Sequence, residues 1–248
     1  LPSGKDTEQG QQIMERAVVT EGLELLGWRD VPVDNTTIGV TARSVEPVIK
    51  QIFVGAGADI KDQLAFERRL YCVRKRTAWG VRRAGLNDNN ENFYACSLSS
   101  KTLIYKGQLM APQLETYYLD LKDPNMASAL ALAHSRYSTN TFPSWGRAQP
   151  FRYICHNGEI NTLRGNLNWM TARRHSMKSE LFGDDLEKLW PLITEGQSDT
   201  ACFDNALELL FLGGYSLAHA MMLLIPEAWG RNPLMEEKRR DFYEYHAA

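Results

Sequence analysis

The sequence lacks the features of membrane, nucleic-acid-binding and disulfide-stabilised proteins. No apolar run approaches the roughly 20 residues that cross a bilayer, so we expect no membrane partner. A net charge of −2 argues against binding nucleic acid through charge. The 4 cysteines form no CxxC pair and have no regular spacing. We therefore expect reduced, mostly buried thiols, with neither a zinc site nor a disulfide framework.

Motifs for phosphate and metal binding are also missing. Gly55 and Gly57 are followed by neither GK[ST] nor GxGxxG, which excludes the common nucleotide loops. The acidic run DDLE has no supporting histidine and no calcium-loop spacing, so it indicates a helix N-terminus. With 248 residues and 44% hydrophobic content, the chain is long enough for one large domain or two small ones.

Hydrophobic periodicity predicts helices on both sides of a strand-rich middle, which is an α+β fold. The strongest helix signal covers residues 62–83, where interleaved arginines predict a solvated or interdomain face. A polar loop is predicted over residues 85–92. Further helices are predicted at residues 6–26, from about 162 onward, at 204–212 and at 215–225. Strands are predicted at residues 49–54, 93–98, 102–105, 129–136 and 152–155.

The stretch that best indicates function is HSRYSTNTFPSWGRAQPFRYICHNGEINTLRGN, residues 134–166. A strand is expected to end near Arg136, and a loop broken by prolines follows it. The next strand stops at Asn157-Gly158, a strong turn signal, before a helix that Asn161 or Thr162 could cap. Two strand ends and a helix start are therefore expected to converge, as in a binding site.

The side chains in these positions suit an amino-acid ligand. Arg136 offers a planar fork of donors that matches a carboxylate. The Asn157 amide and the Gly158 backbone N–H could together form an oxyanion hole. Asp199 stands just before a helix that Ser198 or Thr200 could cap, where its carboxylate can face an ammonium group. Each residue also has a simpler interpretation: Arg136 as one member of a surface ion pair, Asn157-Gly158 as a hairpin turn, and Asp199 as a helix cap.

The segments HSRYSTNTFPSW, AQPFRYICHNGEINTLRGNLNWM and EGQSDTACFDN resemble the class II, N-terminal-nucleophile glutamine amidotransferase domain in the form found in glutamate synthases. The resemblance covers nearly the whole chain, and GWRDVPVD and FYACSLSSKTLIYKGQLM share it. It implies an αββα sandwich of two antiparallel sheets between helical layers. It also implies that Arg136 binds the glutamine carboxylate, Asn157 and Gly158 form the oxyanion hole, and Asp199 binds the α-amino group.

One part of the family pattern is missing. The family's nucleophile is a cysteine at the mature N-terminus, whose α-amino group serves as its general base, whereas this sequence begins with Leu1 and its cysteines are internal. We therefore interpret residues 1–248 as an incomplete amidotransferase domain, truncated at both ends. On that interpretation the chain alone has no glutaminase activity, and glutamate release above a no-enzyme control would contradict it.

For the complete enzyme the resemblance implies reductive amination of 2-oxoglutarate with ammonia from L-glutamine. FMN and an iron–sulfur cluster are implied for the full-length protein, with no cofactor in this segment. The implied partners are the synthase domain of the same chain and either an NADPH-oxidising small subunit or ferredoxin, in the cytoplasm or the plastid stroma. Two alternatives remain: a glutamine-binding regulatory module, and the glutaminase domain of another class II amidotransferase.

Overall fold

The computed structural model describes residues 1, 5–86, 93–139, 141–194 and 196–247, which combine helices with a two-stranded antiparallel sheet. Most of the polar loop predicted at residues 85–92 lies outside these ranges. Within the described ranges, no helix is both long and apolar enough to cross a membrane. The elements are α1 (Lys5–Thr20), β1 (Glu24–Asp30), α2 (Val40–Ser44), β2 (Lys50–Gly55), α3 (Gln63–Arg83), α4 (Gln113–Tyr117), α5 (Leu163–Ala172), α6 (Asp199–Leu212), α7 (Leu217–Leu224) and α8 (Glu237–Ala247), with 3-10 turns at Asn35–Thr37, Leu119–Lys122 and Gly183–Leu189.

The first helix ends earlier than the sequence predicts. Gly22 adopts a φ of 72°, and the N–H groups of Gly22 and Leu23 donate to the carbonyls of Val19 and Val18 at 3.1 Å each. These two bonds form a Schellman motif, which satisfies the last carbonyls of a helix. The stop is therefore Gly22 and not Gly27, and the residues after it enter β1.

The sheet pairs β1 with β2, from Glu24 opposite Gly55 to Asp30 opposite Lys50. β2 confirms the strand predicted at residues 49–54. One face of the sheet packs against α1 and α3. The buried cluster there contains Ala17, Val18, Leu23, Leu70 and Val73, with Leu25, Ile52 and Val54 packed against it.

Helix α3 links this layer to the part of the molecule that carries the candidate site. It confirms the helix predicted at residues 62–83, but its basic residues are not all solvated, because Arg74 and Lys75 are buried. On its far side, Tyr71 and Cys72 pack against Leu209 and Leu212 of α6. The helices predicted at residues 204–212 and 215–225 are confirmed: α6 contains the first, and α7 lies within the second.

Four predicted strands, at residues 93–98, 102–105, 129–136 and 152–155, are wrong for the described structure. These segments pair with no strand among the described residues. A strand requires a neighbouring backbone to complete its hydrogen bonds, and alternation in sequence does not supply that neighbour. Leu130 remains 76% exposed, so even the apolar side of residues 129–136 is not covered here.

At residues 152–155 a side chain replaces the missing strand. The backbone N–H groups of Tyr153 and Ile154 donate to the Asp204 carboxylate at 2.7 and 3.3 Å.

The mixture of helix and sheet confirms the α+β class. The four-layer sandwich remains a prediction.

Candidate active site

Asp199 opens helix α6 at the centre of the candidate site. The preceding residue, Ser198, caps the helix, because its hydroxyl accepts a hydrogen bond from the Ala201 N–H at 3.2 Å. Of the two predicted caps, Ser198 is therefore confirmed. Asp199 itself is only 1% exposed, so its carboxylate is enclosed by other parts of the chain.

The Asp199 carboxylate joins the two motif segments. Its Oδ1 accepts from the Ser138 hydroxyl at 2.9 Å, and its Oδ2 accepts from the Ile160 N–H at 2.7 Å. The Thr200 N–H donates to Oδ1 at 2.7 Å. Burial opposes ionisation, but these hydrogen bonds outweigh it and hold the pKa of Asp199 below its ordinary value. The carboxylate is therefore charged at neutral pH.

These bonds bring three of the sequence motifs to one place. Ser138 lies two residues after Arg136, and Ile160 lies two residues after Gly158. Arg136, Asn157 and Gly158 are exposed, whereas Asp199 is buried. Among the described residues, no hydrogen bond joins Arg136 directly to Asn157 or Gly158. The segments meet at Asp199, but the two strands predicted to bring them there do not form among the described residues. The predicted ligand contacts remain a prediction.

Gly158 has a steric reason to be glycine. A Cβ at this position would lie 3.0 Å from the Cε1 and Nε2 atoms of the His156 ring. Without a Cβ, the His156 ring lies against the Gly158 backbone. Any side chain at position 158 would displace the ring or the turn.

The helix after the turn begins differently from the prediction. Thr162 occupies the N-cap position of α5, but its side chain makes no capping hydrogen bond and its φ is 61°. A left-handed φ is unusual for a β-branched residue. Thr162 is thus at the predicted N-cap position, but its hydroxyl does not cap the helix. The strained backbone at Thr162 lies four residues after Gly158.

A buried ion-pair network ties the residues before the turn to α6. Arg152 pairs with Asp204 at 3.1 Å and with Glu208 at 3.0 Å, and it donates to the Asn205 side chain at 2.6 Å. Arg74 of α3 also pairs with Glu208. Burial opposes the charge on Glu208, but Arg152 and Arg74 outweigh it and lower the pKa of Glu208. Burial raises the pKa of Asp204, an effect that Arg152 partly offsets.

Sequence reasoning missed this network, although a signal for it exists. Asp204 and Glu208 are one helical turn apart within the apolar helix α6. Buried carboxylates are rare unless they are paired. Two carboxylates on one face of a buried helix therefore predict basic partners, which here are Arg152 and Arg74.

The two buried cysteines do not have the properties of a catalytic nucleophile. All 4 cysteines are free; Cys72 and Cys202 are buried, whereas Cys96 and Cys155 are half-buried. Burial raises the pKa of the Cys72 thiol to about 12 and that of Cys202 to about 11. Both thiols are therefore protonated and unreactive at neutral pH.

One group among the described residues has the spacing of metal ligands, namely Glu21, Cys72 and Asp185. Its carboxylates already have cationic partners. Glu21 pairs with Arg76 at 3.1 Å, and Asp185 pairs with Arg69 at 2.9 Å. We interpret the group as an ion-pair cluster between α1, α3 and the Gly183–Leu189 turn.

The family model described as "Glutamine amidotransferases class-II" matches residues 1–248. The chain therefore belongs to the class II glutamine amidotransferases, as the resemblance of its motifs indicated.

Its relatives within that class are glutamate synthases. The chain is 50% identical over 229 residues to "Glutamate synthase [NADPH] large chain" of Bacillus subtilis, covering 92% of this chain and 15% of the relative. It is 48% identical over 232 residues to "Glutamate synthase [NADH]" of Schizosaccharomyces pombe, covering 91% and 11%. It is 40% identical over 244 residues to "Ferredoxin-dependent glutamate synthase 1, chloroplastic/mitochondrial" of Arabidopsis thaliana, covering 96% and 15%. The chain thus spans 11% to 15% of the length of these relatives.

Proposed function

We propose that this chain is the glutamine-hydrolysing domain of a glutamate synthase. The observation that carries the proposal is the Asp199 carboxylate, which bonds to Ser138 on the Arg136 side and to Ile160 on the Gly158 side. We infer that this arrangement brings the Arg136 guanidinium, the Asn157 amide, the Gly158 N–H and the Asp199 carboxylate towards one location. Together these groups match the charged and polar parts of L-glutamine.

Each group has a role in the proposal. Arg136 binds the α-carboxylate in bidentate fashion. Asn157 and Gly158 donate to the oxygen of the side-chain amide. Asp199 binds the α-ammonium through Oδ2. That atom accepts from the Ile160 N–H, and a carboxylate oxygen can accept a second bond.

The chemistry follows from these positions. The cysteine thiolate that the family resemblance assigns to the mature N-terminus attacks the side-chain carbonyl carbon of glutamine, and a C–S bond forms. The carbonyl electron pair moves to oxygen, where Asn157 and Gly158 stabilise the negative charge. Collapse of this intermediate, with a proton delivered to nitrogen, breaks the C–N bond and releases ammonia. Water then hydrolyses the glutamyl thioester to glutamate and restores the thiol.

For the whole protein we propose that the ammonia passes internally to a synthase domain, where 2-oxoglutarate is reductively aminated. FMN and an iron–sulfur cluster in other parts of the protein would supply the electrons. The source of those electrons is an NADPH-oxidising subunit or ferredoxin, because this chain is similar to relatives named for nicotinamide nucleotides and for ferredoxin. The cytoplasmic or plastid location remains a prediction.

We also propose that the complete domain adopts the αββα sandwich. A cavity of about 610 Å³ separates β2 from residues 93–106, and both line it. This space supports a larger sheet than the two strands that pair here.

The direct test is hydrolysis of L-glutamine by the full-length protein that carries this sequence. L-Asparagine, which is one methylene shorter, is the matched control substrate. We expect glutamate and ammonia from glutamine and no product from asparagine, since the clamp at both α-groups fixes the distance to the oxyanion hole. Glutamine binding without hydrolysis by a protein that has its N-terminal cysteine would favour a regulatory module instead.

A further inference from the structure

We propose that Gln149 is a positioning residue for the oxyanion hole, acting through the backbone of His156. Gln149 belongs to the AQPF segment that precedes the turn, and none of the roles above involves it. The inference rests on the proposed glutamine hydrolysis, because it assigns a function to the segment that carries Asn157 and Gly158.

The Gln149 side chain holds both backbone groups of His156. Its Oε1 accepts from the His156 N–H at 2.9 Å, and its Nε2 donates to the His156 carbonyl at 3.0 Å. Gln149 is 7% exposed, so water does not compete freely for these bonds. The carboxamide thus acts as a neighbouring strand would, at a point where the described chain supplies no strand.

The second of these bonds orients the oxyanion segment directly. The His156 carbonyl and the Asn157 N–H belong to one planar peptide unit. Because Gln149 fixes the His156 carbonyl, it also fixes the plane of the peptide unit that carries the Asn157 N–H. The next peptide unit carries the Gly158 N–H, so its direction depends on the same anchor.

The loop that carries Gln149 is itself anchored. The buried Lys106 ammonium donates to the carbonyls of Gly146 and Ala148 at 2.8 and 2.9 Å. It also lies 5.0 Å from the centre of the Phe151 ring, which favours a cation. Gln149 therefore projects from a fixed backbone, as a positioning side chain must.

The far side of the turn is fixed as well. The Ile160 N–H donates to Asp199, so the segment is held at His156 and again at Ile160. Asn157 and Gly158 lie between these two points. Their exposed donors can thus be rigid without direct contacts of their own, which is the requirement for an oxyanion hole.

The test measures the kinetics of glutamine hydrolysis by the full-length protein with Gln149→Glu. This variant is nearly isosteric and keeps an acceptor for the His156 N–H. It loses the donor to the His156 carbonyl and places an oxygen against it. We expect kcat to fall by about 10- to 100-fold, since small misplacements of catalytic groups have effects of this size. KM should change by less than about threefold, because Arg136 and Asp199 still hold the α-groups.

The matched control is Gln108→Glu. The Gln108 amide also donates to a backbone carbonyl, that of Pro143, at 3.0 Å, but it does not contact the oxyanion segment. We expect this variant to keep kcat within about twofold of the wild type. Gln149→Met, which loses both bonds to His156, should lower kcat at least as far as Gln149→Glu.

Two results would overturn the inference. One is a kcat for Gln149→Glu within about twofold of the wild type. The other is a parallel loss of kcat, glutamine affinity and melting temperature, which indicates a structural role alone. If the wild type does not hydrolyse glutamine, the proposed function fails. Amide hydrogen exchange then decides the inference, which requires faster exchange at Asn157 and Gly158 in Gln149→Glu and is contradicted by unchanged rates.

Discussion

At the residue scale, the Asp199 carboxylate has one observed role and one proposed role, and both use the same two oxygen atoms. As the structure stands, it accepts from Ser138, Ile160 and Thr200 and so holds the motif segments together. As the proposed ligand of an ammonium group, it needs remaining acceptor capacity. Only Oδ2 retains clear capacity, so we infer that glutamine is bound from the Ile160 side of the carboxylate.

The ionisation of Asp199 makes the stability of the chain dependent on pH. Burial opposes the charge, but the hydrogen bonds from Ile160, Thr200 and Ser138 prevail and lower its pKa below the ordinary 3.8. A lowered folded-state pKa stabilises the fold above the unfolded-state pKa, and this gain is lost as pH falls through the folded value. We therefore expect Asp199→Asn to lower the free energy of unfolding by about 1–3 kcal/mol at pH 7, with a smaller effect at pH 3.

The measurement is urea unfolding of wild type and variant at both pH values. Asp241→Asn, at an exposed position on α8, is the control and should change the free energy of unfolding by less than about 0.5 kcal/mol. A difference between wild type and Asp199→Asn that stays constant from pH 7 to pH 3 would contradict the assignment.

At this scale the sequence predicts residues that would contact a ligand, but it does not predict the residues that hold them in place. Arg136, Asn157, Gly158 and Asp199 are visible because each belongs to a short motif with a chemical purpose. Gln149 is not, because its partner is the backbone of a residue seven positions away. Which polar side chain bonds to which backbone group depends on the path of the chain, and residue type alone does not determine that path.

At the element scale, α6 supplies the carboxylates that hold the segments of the candidate site in place. Asp199 at its start bonds to the motif segments, and five residues later Asp204 accepts from the backbone of residues 153 and 154. Glu208, a turn later, pairs with Arg152 and Arg74. One helix thus presents three carboxylates to the site. Asp199 bonds to Ser138 and Ile160, whereas Asp204 and Glu208 bond to residues 152–154, which lead into Asn157.

Removing Arg152 tests this element. Arg152→Met leaves Asp204 without its cationic partner and leaves Glu208 with Arg74 alone, inside a buried environment. Breaking a buried ion pair from one side costs about 3–5 kcal/mol, because the remaining charge is uncompensated. We expect a loss of this size in the free energy of unfolding, measured with urea at pH 7.

The matched control is Arg239→Met, which removes a surface ion pair. Arg239 and Glu227 are 50% and 51% exposed, with a separation of 3.4 Å. Pairs of this kind contribute about 0–1 kcal/mol. Equal losses in the two variants would show that the Arg152 network is not a stabilising part of the buried core.

The elements also show why helices were easier to predict than strands. A helix completes its hydrogen bonds within its own sequence, so the periodicity of α3 and α6 was sufficient. A strand depends on a distant neighbour. At residues 152–155 that neighbour is the Asp204 side chain, and at residues 129–136 the described chain offers none, which no local pattern could reveal.

At the scale of the whole molecule, the chain corresponds to one segment of the much longer chains of its relatives. It spans 15% of the length of the Bacillus subtilis large chain. A cavity of about 610 Å³ lies beside β2, and Leu130 is 76% exposed; the four-layer sandwich remains a prediction. The sequence motifs identified the family, but motifs of one domain do not define the sheets that surround it.

The most direct test of the glutaminase account is the kcat/KM for glutamine of the full-length protein with Arg136→Ala. Loss of the bidentate contact to the substrate carboxylate should lower kcat/KM by about 10- to 100-fold, the equivalent of a charge-assisted hydrogen bond. Arg136→Lys should recover only part of this loss, because an ammonium lacks the planar fork. Arg16→Ala, which removes an exposed arginine on α1, should leave kcat/KM unchanged. A wild-type kcat/KM in Arg136→Ala would contradict the account.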